Sequence, residues 1–494
     1  MKLAPLPALT RGVDVLTPEG DLTKGAVRKA VNISIHDNGS FDRRPGYRAF
    51  ISLADAHSLW RSPAQTRVLV AAGDTLYDVD LGLGSAGTLF VGLTPGNAVE
   101  YTEVGPDIYF VDGNILRRVN SSGMLRRPGV AALGAERPSL AQGVGGLTPG
   151  RYGVAYSLLN DTGEESGLSD TEWIDVTGGG IGISAMAAAP NVTQVNVYVT
   201  SPNGGELYLH QTLAQSSTAS ISDKTQLRTA TNQYLAPMPG GDYVRYFRGR
   251  LYVVSGSWVW YSEPLNYGLT DVRSGFLTFG RTITMFEPVE SGIFVGLREK
   301  VLFLRGNGPE SFQEVPCTDR GAIAHTGTRV AADFFSPELV PDRGFPVATW
   351  LSERGMAVGR ADGSLALPQA ERISLVADRG RVLFLQHAGI KQAIYCVESL
   401  TLGSGGTLLT DFSFISAAGR SIADSDARGR SSKIYNSATV SAAGSSTAVA
   451  FSSSTADAAA SAAGSSTAVA FSSSLADADA LAEGVSAVDG IGSP

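Results

Sequence analysis

The residue types that carry most enzyme chemistry are few in this chain and form no recognisable catalytic pattern. The five histidines are His36, His57, His210, His325 and His387. No two of them stand in the i, i+4 arrangement or the HExxH pattern of a zinc site. No Gly-x-Ser-x-Gly elbow or phosphate-binding loop occurs in a strand–turn–helix context. We therefore expect no catalytic residue, no cofactor-binding residue, no metal site and no enzyme activity.

Adjacent carboxylates could act as a general acid and a general base, and two such groupings occur. Glu164 precedes Glu165, and Asp424 lies close to Asp426. Both groupings stand in polar segments that are typical of turns, where we expect solvated charges. The glycine-rich residues 178–182 are followed by no Lys-Ser/Thr pair, so they predict a loop rather than a phosphate site.

Composition favours an all-β chain that does not bind nucleic acid tightly. The 494 residues include 58 glycines, 43% are hydrophobic and 17% are charged, and the formal net charge is −8 with no Lys/Arg-rich run. A dedicated nucleic-acid-binding protein normally shows a basic patch. Cys317 and Cys396 match no metal-ligand spacing, and we expect two buried free thiols. No apolar run predicts a membrane span, and the prolines near the start argue against a signal peptide.

Short hairpins recur along most of the chain. In residues 32–47, Asp37, Asn38 and Gly39 form a turn signal between two short strands, because Asn and Gly tolerate positive φ. The same strand–turn–strand theme returns in six later segments, namely residues 67–80, 107–119, 248–262, 291–304, 347–367 and 379–397. In the first two of these, turns are predicted at Gly73-Asp74 and at Asp112-Gly113-Asn114. Such a loose repeat predicts a β-propeller formed by residues 1–137 and 236–401. A large sandwich or a set of unrelated hairpins is the alternative.

The segment from residue 138 to residue 235, called the insert below, interrupts this series. Its alternating Tyr152, Val154, Tyr156 and Leu158 predict a strand with one buried face. Short strands separated by frequent turns over about 100 residues are typical of an immunoglobulin- or fibronectin-III-like β-sandwich. We expect the insert either to make a lateral contact or to be a stabilising addition.

The composition changes at residues 402–494, called the tail below. The segment that begins at Ser441 and ends at Ser454 recurs from Ser461 to Ser474, a period of 20 residues within a Ser/Ala/Gly-rich run. So little apolar surface cannot offset the entropy of ordering, and the tail is expected to be disordered in a free monomer. Alternatively, Val449, Phe451, Val469 and Phe471 anchor the tail against other subunits.

The hairpin with its Arg-Arg-Pro-Gly-Tyr ending, followed by many short hairpins, resembles the nozzle proteins of short-tailed bacteriophages, which are also called tail stabilisation or tail tubular B-type proteins. The motif covers Asn32 and residues 37–47, and the architectural similarity extends over residues 10–400. This resemblance implies a structural virion protein, made in the host cytoplasm and located in the viral tail. The shorter chain and the repeat tail depart from the family pattern, so the resemblance does not assign the channel gate to particular residues.

The same resemblance implies the partners. Nozzle subunits form a homo-hexameric ring below the portal and adaptor rings, extend the DNA ejection channel and anchor fibres or spikes. Viral DNA would pass through the lumen without sequence-specific binding, and no part would span a membrane. Residues 273–286 and the tail are expected to contact neighbours, and the specific subunit-contact candidates are Arg43, Arg44, Tyr47, Phe451 and Phe471.

Two other functions remain open. A carbohydrate-binding or carbohydrate-cleaving propeller, such as a tail adhesin, could use Trp258, Trp260 and Trp350 to line a sugar groove. A secreted adhesion or repeat protein is the third alternative, and the missing signal peptide argues against it.

Overall fold

The structure is a computed structural model. It describes residues 11–29, 33–35, 40–43, 50–62, 67–134, 136–186, 189–387 and 390–398, together with the strands of residues 401–492. Within this part of the chain, every regular element longer than three residues is a β-strand. The predicted all-β class is therefore confirmed. The chain forms two compact units, one of residues 45–370 and one of residues 1–44 together with 371–494.

The N-terminal hairpin is present. The first strands are β1 (Gly12–Val13) and β2 (Ala26–Val27), with a 3-10 helix at Glu19–Asp21 between them, followed by β3 (Ile33–Ile35) and β4 (Phe41–Arg43). Strands β3 and β4 pair antiparallel, with Ile33 opposite Arg43 and Ile35 opposite Phe41. The two predicted strands are confirmed, and their turn at residues 37–39 lies outside the described residues.

Two four-stranded antiparallel sheets follow in chain order. Sheet I contains β5 (Ala56–Arg61), β6 (Val68–Ala72), β7 (Thr75–Asp80) and β8 (Ser85–Val91). Sheet II contains β9 (Glu100–Val104), β10 (Asp107–Val111), β11 (Leu116–Val119) and β12 (Leu125–Arg126). Each is a simple meander in which consecutive strands are neighbours.

The predicted turns of these sheets are also present, and one has a clear local cause. Gly73 and Gly113 both have positive φ, 57° and 95°. Asp112 is fully buried, and its Oδ1 accepts hydrogen bonds from the amides of Asn114 and Ile115, each at 3.0 Å. This Asx turn reverses the chain between β10 and β11.

The insert forms two sheets over one core. Its strands are β13 (Leu140–Leu147), β14 (Gly150–Asn160), β15 (Glu172–Val176), β16 (Gly179–Ile183), β17 (Val192–Thr200), β18 (Leu207–Ala214) and β19 (Ala219–Ile221). They are ordered β13-β16-β19 in one sheet and β15-β14-β17-β18 in the other. Side chains from both sheets meet in one cluster that includes Tyr152, Val197 and Ile181.

Strand β14 is more buried than predicted. Tyr152, Val154, Tyr156 and Leu158 do share one face, in the cluster between the two insert sheets. The opposite face, expected to be solvated, is covered as well, because Ala155 packs in a second cluster with residues of β17 and β18.

Three further meanders complete the larger unit. After β20 (Leu235–Pro237), sheet III contains β21 (Tyr243–Phe247), β22 (Arg250–Ser255), β23 (Trp258–Tyr261) and β25 (Phe276–Thr278), while β24 (Leu269–Asp271) pairs with β20. Sheet IV contains β26 (Ile283–Val289), β27 (Gly292–Leu297), β28 (Val301–Arg305) and β29 (Gln313–Thr318). Sheet V contains β30 (Thr328–Val330), β31 (Val347–Ser352), β32 (Gly355–Gly359) and β33 (Leu365–Ala366). Short 3-10 helices lie at Pro309–Ser311 and Ala332–Phe334.

The smaller unit holds a sixth meander and the tail. After β34 (Leu375–Val376), sheet VI contains β35 (Gly380–His387), β36 (Ile390–Val397), β38 (Phe412–Ala417) and β39 (Ser421–Asp424), while β37 (Thr401–Leu402) pairs with β34. The tail strands are β40 (Ser437–Ala443), β41 (Thr447–Ser452), β42 (Asp457–Ala463), β43 (Thr467–Ser472), β44 (Ala478–Ala482) and β45 (Val488–Gly492). They form two parallel sheets, β40-β42-β44 and β41-β43-β45.

The structure has strands in the tail, where the sequence predicted disorder. Successive strands of each sheet are offset by the 20-residue repeat, so that Ser441 opposes Ser461 and Val449 opposes Val469. Backbone pairing in this arrangement supplies order that side-chain burial could not be expected to supply.

Sheets II, III and IV each share one core with the preceding numbered sheet and another with the next. In β10, Ile108 and Phe110 join a cluster with sheet I, whereas Tyr109 and Val111 join a cluster with sheet III. Sheets III and IV share a further cluster, as do sheets IV and V. Because side chains alternate along a strand, these continuous apolar runs bury both faces.

Candidate functional site

The sequence-predicted contact residues fall in different places. Arg43 lies on β4 and is exposed. Arg44 and Tyr47 lie outside the described residues. Phe451 of β41 and Phe471 of β43 are opposite one another in neighbouring parallel strands. The structure therefore aligns the two phenylalanines in register, on a sheet different from that of Arg43.

Residues 273–286 combine an edge strand with core. Strand β25 is the last strand of sheet III, and Arg281 is exposed. Ile283, Met285 and Phe286 are almost completely buried. Only the first part of this segment can contact a neighbour.

A buried ion network joins the first strands of three sheets. Arg245 of β21 donates from Nε to Glu287 Oε1 of β26 at 3.0 Å, and its Nη2 lies 3.0 Å from Glu100 Oε2 of β9. The side chains of Arg245, Glu287 and Glu100 are only 9%, 2% and 7% exposed. One guanidinium thus bridges carboxylates that belong to sheets II and IV, a function that its planar fork of donors suits.

A histidine extends the network. Nδ1 of His325 lies 3.0 Å from Glu100 Oε1, and its ring stacks on Tyr243 with centroids 4.7 Å apart. A carboxylate can only accept, so Nδ1 is the protonated nitrogen. Arg329 of β30 is solvent-exposed and lies within electrostatic range of Glu287 and Arg245. The network therefore reaches from buried groups toward solvent at the first strand of sheet V.

The electrostatics of Arg245 reflect a balance of burial and pairing. Burial alone would lower the pKa of this guanidinium, but Glu287 and Glu100 outweigh burial and raise the pKa above its usual value. Arg245 therefore stays charged, and its role is to hold two buried carboxylates. Sequence reasoning missed this site, although a charge within the apolar strands Tyr243–Phe247 and Ile283–Val289 was a visible signal.

Glu165 is a half-buried hydrogen-bond acceptor rather than the solvated charge expected from its polar segment. Its Oε1 accepts hydrogen bonds from Ser157 Oγ at 2.6 Å, Tyr198 Oη at 2.7 Å and Asn196 Nδ2 at 2.8 Å, and its Oε2 accepts one from Arg228 at 2.7 Å. Burial alone would raise the pKa of Glu165, but these hydrogen bonds hold it below its ordinary value. The carboxylate ties the loop after β14 to β17, so its environment is structural.

The three tryptophans do not line one groove. Trp350 is fully buried and packs against Phe294, with ring centroids 5.4 Å apart. Trp258 and Trp260 remain together, with nearly parallel rings 6.2 Å apart, and Trp258 is 42% exposed. The prediction that all three share a surface is therefore wrong for Trp350, because β31 of sheet V packs this side chain against sheet IV.

Other candidate chemistry is sparse in the described part of the chain. No group of three or more His, Cys, Asp or Glu side chains there is arranged to hold a metal ion. Cys317 is half-buried and Cys396 is exposed, so the prediction of two buried thiols is wrong for Cys396. Among these residues, no helix has the length and apolar character needed to cross a membrane.

Comparison with known proteins assigns no family. No family model and no curated protein matches the chain. Solved structures with weak similarity include the computationally designed Ika8 protein, at 12% identity over 73% of this chain and 98% of that chain, with a TM-score of 0.23. The extracellular domain of the one-component system BT4673 from B. thetaiotaomicron is 11% identical over 83% of this chain and 67% of that chain, with a TM-score of 0.22. BBS1N in complex with ARL6DN is 9% identical over 71% of this chain and 92% of that chain, with a TM-score of 0.27. These scores are too low to assign a fold.

Removal of the bridging cation should be strongly destabilising. Arg245→Met leaves the buried carboxylates of Glu100 and Glu287 without their cation. We expect a loss of about 3–5 kcal/mol in the free energy of unfolding. Arg248→Met is the matched control, because the Arg248–Glu290 pair is 41% and 47% exposed, and its loss should cost at most about 1 kcal/mol. Chemical denaturation of both variants measures the difference, and equal losses would contradict the assigned role.

The stabilising effect of Glu165 should depend on pH. Because its folded pKa lies below the usual value of 4.5, its contribution is complete above that value and disappears as the pH falls through the folded pKa. We expect Glu165→Gln to lose about 1–2 kcal/mol at neutral pH and less below about pH 4.5. Denaturation over a pH series measures this, with exposed Glu136→Gln as the control. A deficit that does not change with pH would contradict the assignment.

Proposed function

We propose that sheets I to V of the larger unit are blades of a β-propeller and that the insert is an immunoglobulin- or fibronectin-III-like sandwich. The propeller is supported by contacts between the first strands of successive sheets, β9 with β21, β21 with β26 and β26 with β30. Burial also declines from the first strand of sheet IV to the last, since β26 is almost wholly buried and β29 is mostly exposed or half-buried. First strands that converge while last strands face solvent are expected of blades around an axis.

On this fold, the function we propose is a structural one, that of a tail nozzle subunit of a short-tailed bacteriophage. In the virion it would form a ring, a homo-hexamer, that extends the DNA ejection channel below the portal and adaptor and anchors fibres or spikes. The observation that carries the proposal is the series of shared cores, in which both faces of consecutive sheets are used for packing. A chain built in this way is suited to bear load rather than to position a substrate.

The N-terminal hairpin is the proposed subunit contact, because its Arg43 is exposed on strand β4, which pairs with β3 of the same hairpin. The parallel tail sheets, with Phe451 and Phe471 in register, are the second proposed contact.

Ring assembly tests this function. We expect the purified protein, mixed with portal and adaptor rings of a short-tailed phage, to form particles of six copies with a central hole in mass photometry and negative-stain images. Arg43→Glu should shift at least half of the particles to monomer by placing like charge at the contact. Arg127→Glu, at another exposed arginine, should leave the rings intact. A protein that stays monomeric with every ring partner would refute the nozzle function.

Carbohydrate binding is a second candidate, favoured by one observation. Trp258, which is exposed, and Trp260, which is half-buried, form a nearly parallel pair, and the ring centroid of Phe276 lies 5.0 Å and 5.3 Å from theirs. Flat aromatic surfaces of this kind can bury the apolar face of a sugar ring.

A glycan array separates this candidate from the first. If the aromatic group is a sugar platform, the wild-type protein should capture specific glycans and Trp258→Ala should lose at least tenfold in affinity, as expected for an aromatic anchor worth about 2 kcal/mol. Trp173→Ala, at a tryptophan that is 43% exposed in the insert, should bind as the wild type does. No capture by the wild-type protein would reject this candidate.

A further inference from the structure

A cleft of about 760 Å³ lies where the insert meets sheets II and III. One wall is the turn between β9 and β10 with Asp107, a second is the insert loop that carries Glu164, and a third is formed by residues 265–267 after β23. Three separate segments therefore contribute to one concave surface, which is the usual form of a ligand site.

Three tyrosines form the aromatic part of the cleft. The ring of Tyr267 stands at 79° to that of Tyr109 and at 83° to that of Tyr246, with centroids 6.2 Å and 5.8 Å apart. Two rings thus meet a third nearly at right angles. Tyr246 and Tyr267 are half-buried, whereas Tyr109 is buried behind them. Such an arrangement presents electron-rich ring faces together with apolar ring surface.

The charges of the cleft are mostly negative. Four carboxylates line it, those of Glu103, Asp107, Glu164 and Glu165, against the single guanidinium of Arg118. Arg118 donates to Glu164 Oε1 at 2.6 Å, and its Nε stays 3.7 Å from Asp107 Oδ2. Glu164, the nearer carboxylate, accepts the hydrogen bond of Arg118. Asp107 can therefore still accept a hydrogen bond from a group in the cleft.

The partial burial of Asp107 is consistent with a carboxylate that can accept from a ligand in the cleft. Its carboxylate is 23% exposed. Burial is the main reason that its pKa is raised, with Glu164 acting in the same direction and Arg118 opposing it. A partly desolvated carboxylate gains more from a positively charged partner than an exposed one does.

We propose that this cleft binds an organic cation, an ammonium or guanidinium group on an aliphatic stem. The charged head would be held by Asp107 and the face of Tyr267, through an ion pair and a cation–π contact. The stem would lie along the ring of Tyr246. The group could belong to a free small molecule or to a lysine or arginine side chain of a partner protein. This inference is independent of the proposed nozzle function.

The cation is preferred to other ligand classes for reasons of charge and shape. An anion would meet an excess of carboxylates. A bare metal ion would have no need of three tyrosine rings, and no metal-binding group was found among the described residues. A neutral sugar could stack on the rings but would form no ion pair with Asp107.

Titration calorimetry with the full chain tests the proposal. We expect n-butylguanidinium and n-butylammonium to bind, and n-butanol and butyrate, which have similar stems, to bind at least tenfold more weakly. Salt should weaken binding of the cations. A capped Gly-Arg-Gly peptide that binds tenfold more tightly than n-butylguanidinium would identify a partner's side chain as the source, whereas equal affinities would identify a free small molecule.

Three variants locate the site. Asp107→Asn should weaken cation binding about tenfold, the loss expected for a charged hydrogen bond worth about 1.5 kcal/mol, whereas Asp319→Asn at a side chain that is 91% exposed should have no effect. Asn266→Arg changes an exposed residue of the cleft wall and should abolish binding by placing a cation of the chain itself there. It serves as the test if Asp107→Asn fails to fold.

Several outcomes would overturn the inference. They are equal binding of butyrate and n-butylammonium, no binding of either cation at millimolar concentration, and unchanged affinity in Asn266→Arg. Binding of a neutral oligosaccharide that survives high salt and competes with the cations would also overturn it.

Discussion

One buried cation links three sheets of the larger unit. Arg245 sits on the first strand of sheet III and reaches carboxylates on the first strands of sheets II and IV. If either neighbouring sheet moved away, a carboxylate would be left in a low-dielectric interior without its partner, which is far more costly than breaking an exposed pair. The network therefore sets the spacing of three sheets while contributing little net attraction of its own.

The apolar packing around this network explains why the sheets form a series. In β22, Leu251 and Val253 face sheet II, whereas Tyr252 and Val254 face sheet IV. A strand with both faces buried needs a neighbour on each side. Sheets that share cores in this way leave few interior positions for reactive groups, and the two binding surfaces proposed above are the Trp258–Trp260 pair on β23 of sheet III and the cleft beside the insert.

Local signals in the sequence predicted much of the fold. Turn residues such as Asp112 and Gly113 act through their own backbone, so their effect can be predicted from neighbouring positions, and the hairpins around them were confirmed. The alternation of Tyr152, Val154, Tyr156 and Leu158 along the strand likewise predicted that these side chains share one face. They do so in the core of the insert.

The sites could not be predicted, because they depend on contacts between residues that are distant in sequence. Arg245 and Glu287 are 42 residues apart, and Glu165 accepts a hydrogen bond from Arg228, 63 residues later. A glutamate in a polar segment gives no local sign of the strands that will surround it. Trp350 was misplaced for the same reason, since an aromatic strand residue can face either a groove or a neighbouring sheet. The tail shows the converse, because its low hydrophobicity predicted disorder while its exact repeat supports backbone pairing in register.

Hydrogen exchange followed by mass spectrometry, comparing the wild-type protein with Arg245→Met and Arg248→Met, tests most directly whether the first strands are held as one structural unit. The account predicts that the amides of β9, β21 and β26 exchange slowly and together in the wild type, and that all three lose protection together in Arg245→Met but not in Arg248→Met. Loss of protection confined to β21, with β9 and β26 unchanged, would contradict it.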